Sequence, residues 1–388
     1  MTTMNKDEKK KLINRTINKY VKSTKRQVNI GFVNVNELTF LKTPFSTFNN
    51  MMGGGFPRGK FGVFAGPERT AKSTFLLQCI AFNQAEDPNF VALWTDAEDS
   101  LEISWCEALG VDLDRLVIQR APEDHDLQSM EELLEEGLTL VKTQAIDFWV
   151  IDSIGALTPS AELKKEIIEG KMLDLQRKFG EFFRKAINYI SPKKNDGQEN
   201  SQFLGCATVF IGQVYTVPDA HVKFEEVRGG NAVKHWAYWR IRTRRGAKKA
   251  YIGEDVDYTV PGIEITKKVQ SGWAQYLKLD KTKMNDQEAR EIVLHFKYGR
   301  GLDAAHCAIS SMIANDIFEK GGAWFNHELL PGGKICGKDA LFELLTQDKE
   351  LRNKFVHLLD NKLNNTDIIN DNNSDTESVS SNGETERE

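Results

Sequence analysis

The sequence predicts an α/β fold: a mostly parallel central sheet flanked by helices. Three observations predict it. Apolar runs near 61–65, 90–95, 147–151 and 207–212 alternate with helical patterns around 74–85, 100–109, 128–143 and 172–190. Continuous apolar strands separated by helices are what a sheet covered on both faces requires. The first run passes directly into Gly66-Pro67-Glu68-Arg69-Thr70-Ala71-Lys72-Ser73-Thr74, and a helical apolar face begins at Phe75. Strand, tight loop and helix in that order are the context of a phosphate-binding loop. Further candidate strands occur at 237–243, 262–269, 274–280 and 291–296, and a mostly helical segment, 301–360, follows.

The elements follow in order. Residues 1–44 are read as an N-terminal helix and oligomerisation arm, with Ile13, Ile17 and Val21 at helical spacing on a basic background. Residues 45–300 form the core, entered through the turn Gly53-Gly54-Gly55-Phe56-Pro57-Arg58-Gly59. A small α-rich domain spans 301–364 and carries a Gly-Gly-Ala-Trp-Phe turn from Gly321. The last segment, 365–388, is rich in Asn, Asp, Ser and Glu, and reads as a disordered acidic tail.

Bulk properties narrow the classes. A chain of 388 residues can hold one large core and a smaller domain. Net charge is -5, so the molecule is not basic throughout, and any nucleic-acid surface is local. Five scattered cysteines argue against a disulfide scaffold or a zinc site and for a reducing, cytoplasmic setting. No apolar run reads as a membrane span.

Four groups of residues carry chemistry. In the loop, Lys72 is placed to hold β/γ-phosphates and Ser73 to ligate Mg²⁺. Ala71 stands where glycine normally precedes the lysine, which is tolerated if the backbone there is near helical. The run 148–151 ends in Asp152, a second magnesium candidate, and 90–95 ends in Asp96-Ala97-Glu98. Glu98 is the candidate general base, with Asp96 as the alternative. The run 208–211 ends in Gly212-Gln213, and Gln213 can sense a γ-phosphate and pass the change to a polar loop, Val214 to Arg228. From Val227 to Gly253 there is no acid, while Arg228, Lys234, Arg240, Arg242, Arg244 and Arg245 are interleaved with aromatics. Arg240, Arg242 and Arg244 share one face of a strand, a stripe fit for nucleic-acid phosphates or simply for solvent. Lys281 and Lys283 suit a nucleotide phosphate reached from an adjacent subunit, or salt bridges, and Arg244 and Arg245 are weaker candidates for the same role.

Taken together, these motifs resemble the RecA-type recombinase family, especially its bacteriophage members, collinearly from about residue 45 to 330. The resemblance also rests on Leu109-Gly110-Val111-Asp112, Ile154-Gly155-Ala156-Leu157-Thr158-Pro159, Gly229 to Lys234 and Gly321 to Phe325. It implies a RecA-like ATPase core that uses ATP and Mg²⁺. The implied activity is DNA-dependent ATP hydrolysis, filament formation on single-stranded DNA, and strand exchange with homologous double-stranded DNA. Its further implied partners are other copies of the chain, a single-stranded-DNA-binding protein and a loading mediator, in the bacterial host cytoplasm if phage-encoded. By the same resemblance Glu98 matches the catalytic glutamate, Gln213 the coupling glutamine, and Lys281 and Lys283 the cross-interface lysines. Gly229, Gly230 and Asn231 match the end of the second DNA loop, and Lys171 falls in the first, near Ile168 to Met172. A hexameric DNA motor on the same core, or an ATP-binding DNA scaffold with weak hydrolysis, are the alternative readings.

Overall fold

The computed structural model describes residues 11, 15, 38–120, 128–163, 172–194, 202–218, 223–227, 230–246, 255–259, 266–284 and 290–374. The chain divides into two units, Met1–Thr39 and Phe40–Glu388. In the first, Lys11 and Arg15 are helical and exposed, while Ile13, Ile17 and Val21 lie outside the described residues.

The second unit is built on a ten-stranded sheet. Its strands are β1 (Phe61–Gly66), β2 (Ala92–Asp96), β3 (Leu116–Gln119), β4 (Phe148–Asp152), β5 (Ala207–Pro218), β6 (Lys223–Val227), β7 (Trp239–Arg245), β8 (Gly272–Thr282), β9 (Glu291–Lys297) and β10 (Gly301–Leu302). The order is β3-β2-β4-β5-β1-β7-β8-β9-β10, with β6 paired to β5 off this path. From β3 to β7 all neighbours are parallel, and from β7 to β10 they are antiparallel.

Every residue of β1, β2 and β4 is buried, because helices cover both faces. On one face, α1 (Ser46–Met51) and α2 (Lys72–Glu86) pack Phe48, Phe75, Leu76 and Ile80 against Phe64, Trp94, Phe148 and Val209. On the other, α4 (Met130–Lys142) and α5 (Met172–Ile190) pack Leu133, Leu138, Phe179 and Phe183 against Phe61, Trp149 and Phe210. A shorter helix, α3 (Ile103–Ala108), follows β2. The start of α4 is set by a capping box: Ser129 N donates to Glu132 Oε2 at 2.9 Å, and Glu132 N returns a bond to Ser129 Oγ at 3.3 Å. Gly62 lets β7 lie against β1, since a Cβ there would sit 1.9 Å from the Trp239 ring.

Four points differ from the reading of the sequence. The segment from Val214, read as a loop without period, is mostly a hairpin: β5 continues to Pro218 and pairs with β6, from Val214↔Val227 to Pro218↔Lys223. Val214-Tyr215-Thr216-Val217 is a β-branched and aromatic run, and that local preference outweighs its polarity. The short strand β3 was passed over; its mixed exposure, with Val117 in solvent, hides the apolar run expected of a buried strand. The small C-terminal segment, read as mostly helical, also carries strands. It combines α7 (Ala304–Ala314), α8 (Lys338–Gln347) and α9 (Lys349–Ser374) with a three-stranded sheet of Glu319–Gly321, Trp324–Asn326 and Lys334–Cys336. Gly322, with φ of 64°, makes the hairpin turn. These elements share a core of Ile309, Met312, Phe318, Leu341, Leu345 and Phe355. The last helix runs past 365, where the acidic tail was placed, to Ser374. Among the described residues no helix is long and apolar enough to cross a membrane.

Candidate active site

Adjacent parallel strands β1, β5, β4 and β2 end on one side of the sheet, and their C-terminal ends bring the expected residues into one cleft of about 240 Å³. It is lined by Glu68 to Thr74, Glu98, Ser100, Asp152, Ser153, Ile211 and Gln213. Open parallel sheets place ligands at such strand ends.

The loop turns sharply after Gly66, where a Cβ would lie 2.4 Å from the Thr243 carbonyl. Arg69 and Ala71 then adopt left-handed backbone, Ala71 at φ 58° and ψ 32°. This corrects the expectation for Ala71: its backbone is not near helical, and its methyl group sits in a conformation that favours glycine, a cost of roughly 1–2 kcal/mol. Two anchors hold the loop despite that cost. Thr70 Oγ1 donates to the Pro67 carbonyl at 2.8 Å, and the Thr70 carbonyl accepts from Gln275 Nε2 at 2.6 Å. Gln275 is fully buried on β8 and also donates to Thr243 Oγ1 at 3.1 Å.

Lys72 opens α2, and its ammonium donates to the carbonyls of Gly66 at 3.1 Å and Pro67 at 2.7 Å. Burial lowers its pKa, opposed by the charges of Asp152, Glu98 and Glu68. Ser73 Oγ donates to Asp152 Oδ2 at 2.7 Å. Burial, aided by the charges of Glu98 and Asp96, pushes Asp152 up to about 6 against the Ser73 hydrogen bond and Lys72. A hydroxyl and a buried carboxylate side by side are hard oxygen donors, so this pair fits Mg²⁺ beside a phosphate chain.

Glu98 and Gln213 meet across the cleft: Gln213 Nε2 donates to Glu98 Oε1 at 3.2 Å, and Ser153 Oγ donates to the same oxygen. Asp96 is placed differently. It accepts backbone N–H bonds from Ser100 and Leu101, each at 3.0 Å, and the Arg120 guanidinium at 2.9 Å. Those bonds occupy its carboxylate as a staple for the turn, so the alternative of Asp96 as the base is set aside in favour of Glu98.

Other expected residues lie elsewhere. Lys281 and Lys283 fall at the C-terminal end of β8, whose Thr282 is in register with Trp239 and through it with Gly62. That is the end of the sheet opposite the loop. Lys281 Nζ donates to the Lys234 carbonyl at 2.6 Å. Arg240, Arg242 and Arg244 do share a face, but the stripe is not bare. Arg242 pairs with Asp280 at 2.9 Å, Arg240 lies 3.8 Å from the same carboxylate, and Arg244 pairs with Glu291 at 2.9 Å while lying over Tyr276. Acids on β8 and β9, distant in sequence, supply the partners. Lys171, Arg228 and Gly229 lie outside the described residues. Gly230 and Asn231 open α6 (Gly230–Trp236), which also carries Lys234.

Sequence reasoning missed Gln275, Ser153 and Trp105. Gln275 is a lone amide in the otherwise apolar half-strand Gly272–Leu277, which is a readable signal. Trp105 reaches the loop helix by donating its indole N–H to Thr74 Oγ1 at 3.3 Å, a contact that only the fold creates.

The chain is similar to known proteins over most of its length. A family model described as the RecA N-terminal domain matches residues 12–277. A protein named RecA from Acinetobacter baylyi is 30% identical over 302 residues, covering 77% of this chain and 75% of that protein. Its namesake from Staphylococcus carnosus is 29% identical over 321 residues, covering 82% and 78%. That from Staphylococcus aureus is 27% identical over 322 residues, covering 83% and 82%. With a tight strand-to-helix loop, a buried strand-end aspartate and a glutamate–glutamine pair in one cleft, and with this match, the chain belongs to the RecA family.

Proposed function

We propose that the chain is an ATP-dependent recombinase that assembles as a helical filament on single-stranded DNA and exchanges that strand with homologous duplex. The observation that carries this reading is the position of Gln213. Its amide touches Glu98 inside the cleft, while its backbone lies on β5, which runs unbroken to Pro218 and pairs with β6. β6 leads to Gly229-Gly230-Asn231. A change of partner at Gln213 on cleavage of the γ-phosphate is thus applied directly to the strand that delivers the DNA-facing segment.

Each cleft residue has a task. Lys72 exchanges its two loop carbonyls for β/γ-phosphate oxygens, and the loop N–H groups at the start of α2 favour the same anion. Ser73 and Asp152 would hold Mg²⁺, which would neutralise phosphate charge. Glu98 accepts the proton of the attacking water, and Ser153 and Gln213 orient its carboxylate. Lys281 and Lys283, turned away from their own loop, complete the site of a neighbouring copy. Lys171, Arg228, Gly229, Gly230, Asn231 and Lys234 are the residues assigned to single-stranded DNA, whereas Arg240 and Arg242 are held by Asp280. Membership of the bacteriophage branch rests on the divergent loop at Ala71; the relatives compared above are bacterial.

Electron microscopy with single-stranded DNA, Mg²⁺ and a slowly hydrolysed ATP analogue tests the assembly, and joint-molecule formation with homologous duplex tests the activity. Nucleotide-dependent extended filaments and joint molecules are expected. Closed rings without strand exchange would establish the hexameric motor instead. DNA binding without hydrolysis would establish the scaffold.

A further inference from the structure

We infer that Lys60, with Tyr238 and Lys283, forms an anion cradle for the triphosphate chain of a nucleotide held by a second copy of this chain. This rests on the reading of Lys281 and Lys283 as cross-interface cations and adds a residue to that site.

The three residues are locked together at one end of the sheet. Lys60 immediately precedes β1 and is half-buried. Its ammonium lies over the Tyr238 ring, 5.0 Å from the centroid. Tyr238 N donates to the Phe61 carbonyl at 2.7 Å, and the Tyr238 carbonyl accepts from Lys283 N at 3.0 Å. Lys60 and Lys283 therefore share Tyr238 as a common support.

Among the described residues no carboxylate forms an ion pair with either lysine. Other lysines of the core have such partners: Lys142 and Lys185 pair with Glu135, Lys178 with Glu131, and Lys297 with Asp303. Burial, and then the charge of Lys283, lower the pKa of Lys60. A half-desolvated cation beside a like charge disfavours the folded chain, and an anion bound between them reverses the sign of the interaction. The ring face of Tyr238 offsets only part of that cost.

The anion comes from another molecule. Lys60 and Gly66 stand at opposite ends of β1, roughly 20 Å apart at ~3.3 Å per strand residue. Lys60 thus cannot reach the phosphates of its own loop. A compact, multiply charged triphosphate suits a compact, half-buried pair of cations.

The test uses the full chain and ATP with single-stranded DNA. Lys60→Gln is expected to raise the ATP concentration for half-maximal DNA-dependent hydrolysis by about tenfold or more, the loss of one charge-assisted contact. Lys60→Arg should restore most of it, and Lys60→Met should repeat the loss if the glutamine variant folds poorly. Position across the interface is read by mixing. Lys60→Gln retains an intact loop, and Lys72→Ala retains an intact Lys60. Turnover of the mixture above the sum of the two variants alone supports the proposal. The same mixing is done with Lys281→Gln/Lys283→Gln in place of Lys60→Gln. Recovery there without recovery for Lys60→Gln overturns the role of Lys60 alone. Recovery in neither overturns the cross-interface reading, and the cradle with it. Weaker nucleotide-free DNA binding at unchanged ATP dependence would assign Lys60 to the DNA backbone and also overturn the proposal.

Discussion

Gln275 holds the phosphate loop from beneath: its side-chain amide donates to the Thr70 carbonyl at 2.6 Å, from a strand two places away in the sheet. Leucine at 275 keeps the volume and leaves that carbonyl with little beyond a 3.4 Å contact from Thr243 Oγ1. Gln275→Leu is therefore expected to cost about 1–3 kcal/mol of stability, less whatever is regained by removing the unpartnered Gln275 Oε1, and to weaken nucleotide binding. Chemical denaturation and a fluorescent-nucleotide titration measure both. Unchanged affinity would mean that the loop does not depend on this anchor.

Ala71 occupies left-handed backbone at φ 58°. Ala71→Gly removes the clash of the methyl group but adds freedom to the unfolded chain, so a net gain of up to about 1 kcal/mol is expected. Ala71→Val should be destabilising, since a β-branched residue tolerates that region poorly. Equilibrium unfolding of the three proteins side by side gives the order; valine equal to alanine would contradict the strain argument.

Glu98→Gln keeps an oxygen for the Ser153 and Gln213 hydrogen bonds and removes the carboxylate proposed as the base. Nucleotide binding should persist while single-turnover hydrolysis falls by about 10²–10⁴-fold, the usual worth of a positioned general base. A loss of less than threefold would assign the water-activating role elsewhere.

His295 and Asp152 give opposite pH dependences. His295 packs against His306, 4.2 Å between ring centroids, and burial first, then the charge of His306, lowers its pKa to about 4. Its neutral form is favoured in the fold, so the stability it contributes is complete above pH ~6.5 and is lost as pH falls through about 4, a span worth about 3 kcal/mol. Asp152, raised to about 6, favours the folded ligand-free chain below pH ~4 and loses that contribution as pH rises through about 6. Comparing wild type with His295→Gln and with Asp152→Asn between pH 4 and 7 separates the two. The His295→Gln difference should shrink toward low pH, and the Asp152→Asn advantage should grow toward high pH. Parallel curves would refute both assignments.

The phosphate loop, Asp152, Glu98 and Gln213 were legible because each belongs to a local pattern: an apolar strand that stops at a polar residue. Strand-end position follows from the run itself, and parallel packing brings such ends together. Less was legible where the partner is remote. The arginine stripe reads as cationic until β8 and β9 bring Asp280 and Glu291 against it. The Val214–Arg228 segment reads as a loop because a hairpin is specified by pairing as well as by composition.

The sequence by itself determined the alternation of strands and helices, most of the cleft residues and the family. These depend on periodicity and on motifs a few residues long. The tertiary structure decided the left-handed backbone at Ala71, the anchor from Gln275, the diversion of Asp96 to a staple, and the placing of Lys60, Lys281 and Lys283 far from their own loop. The Gln275 anchor and the placing of Lys281 and Lys283 are set by the order and register of strands, which join residues up to about two hundred positions apart. Spacing along the chain carries no direct record of that pairing, because the same apolar run can occupy any place in a sheet covered on both faces.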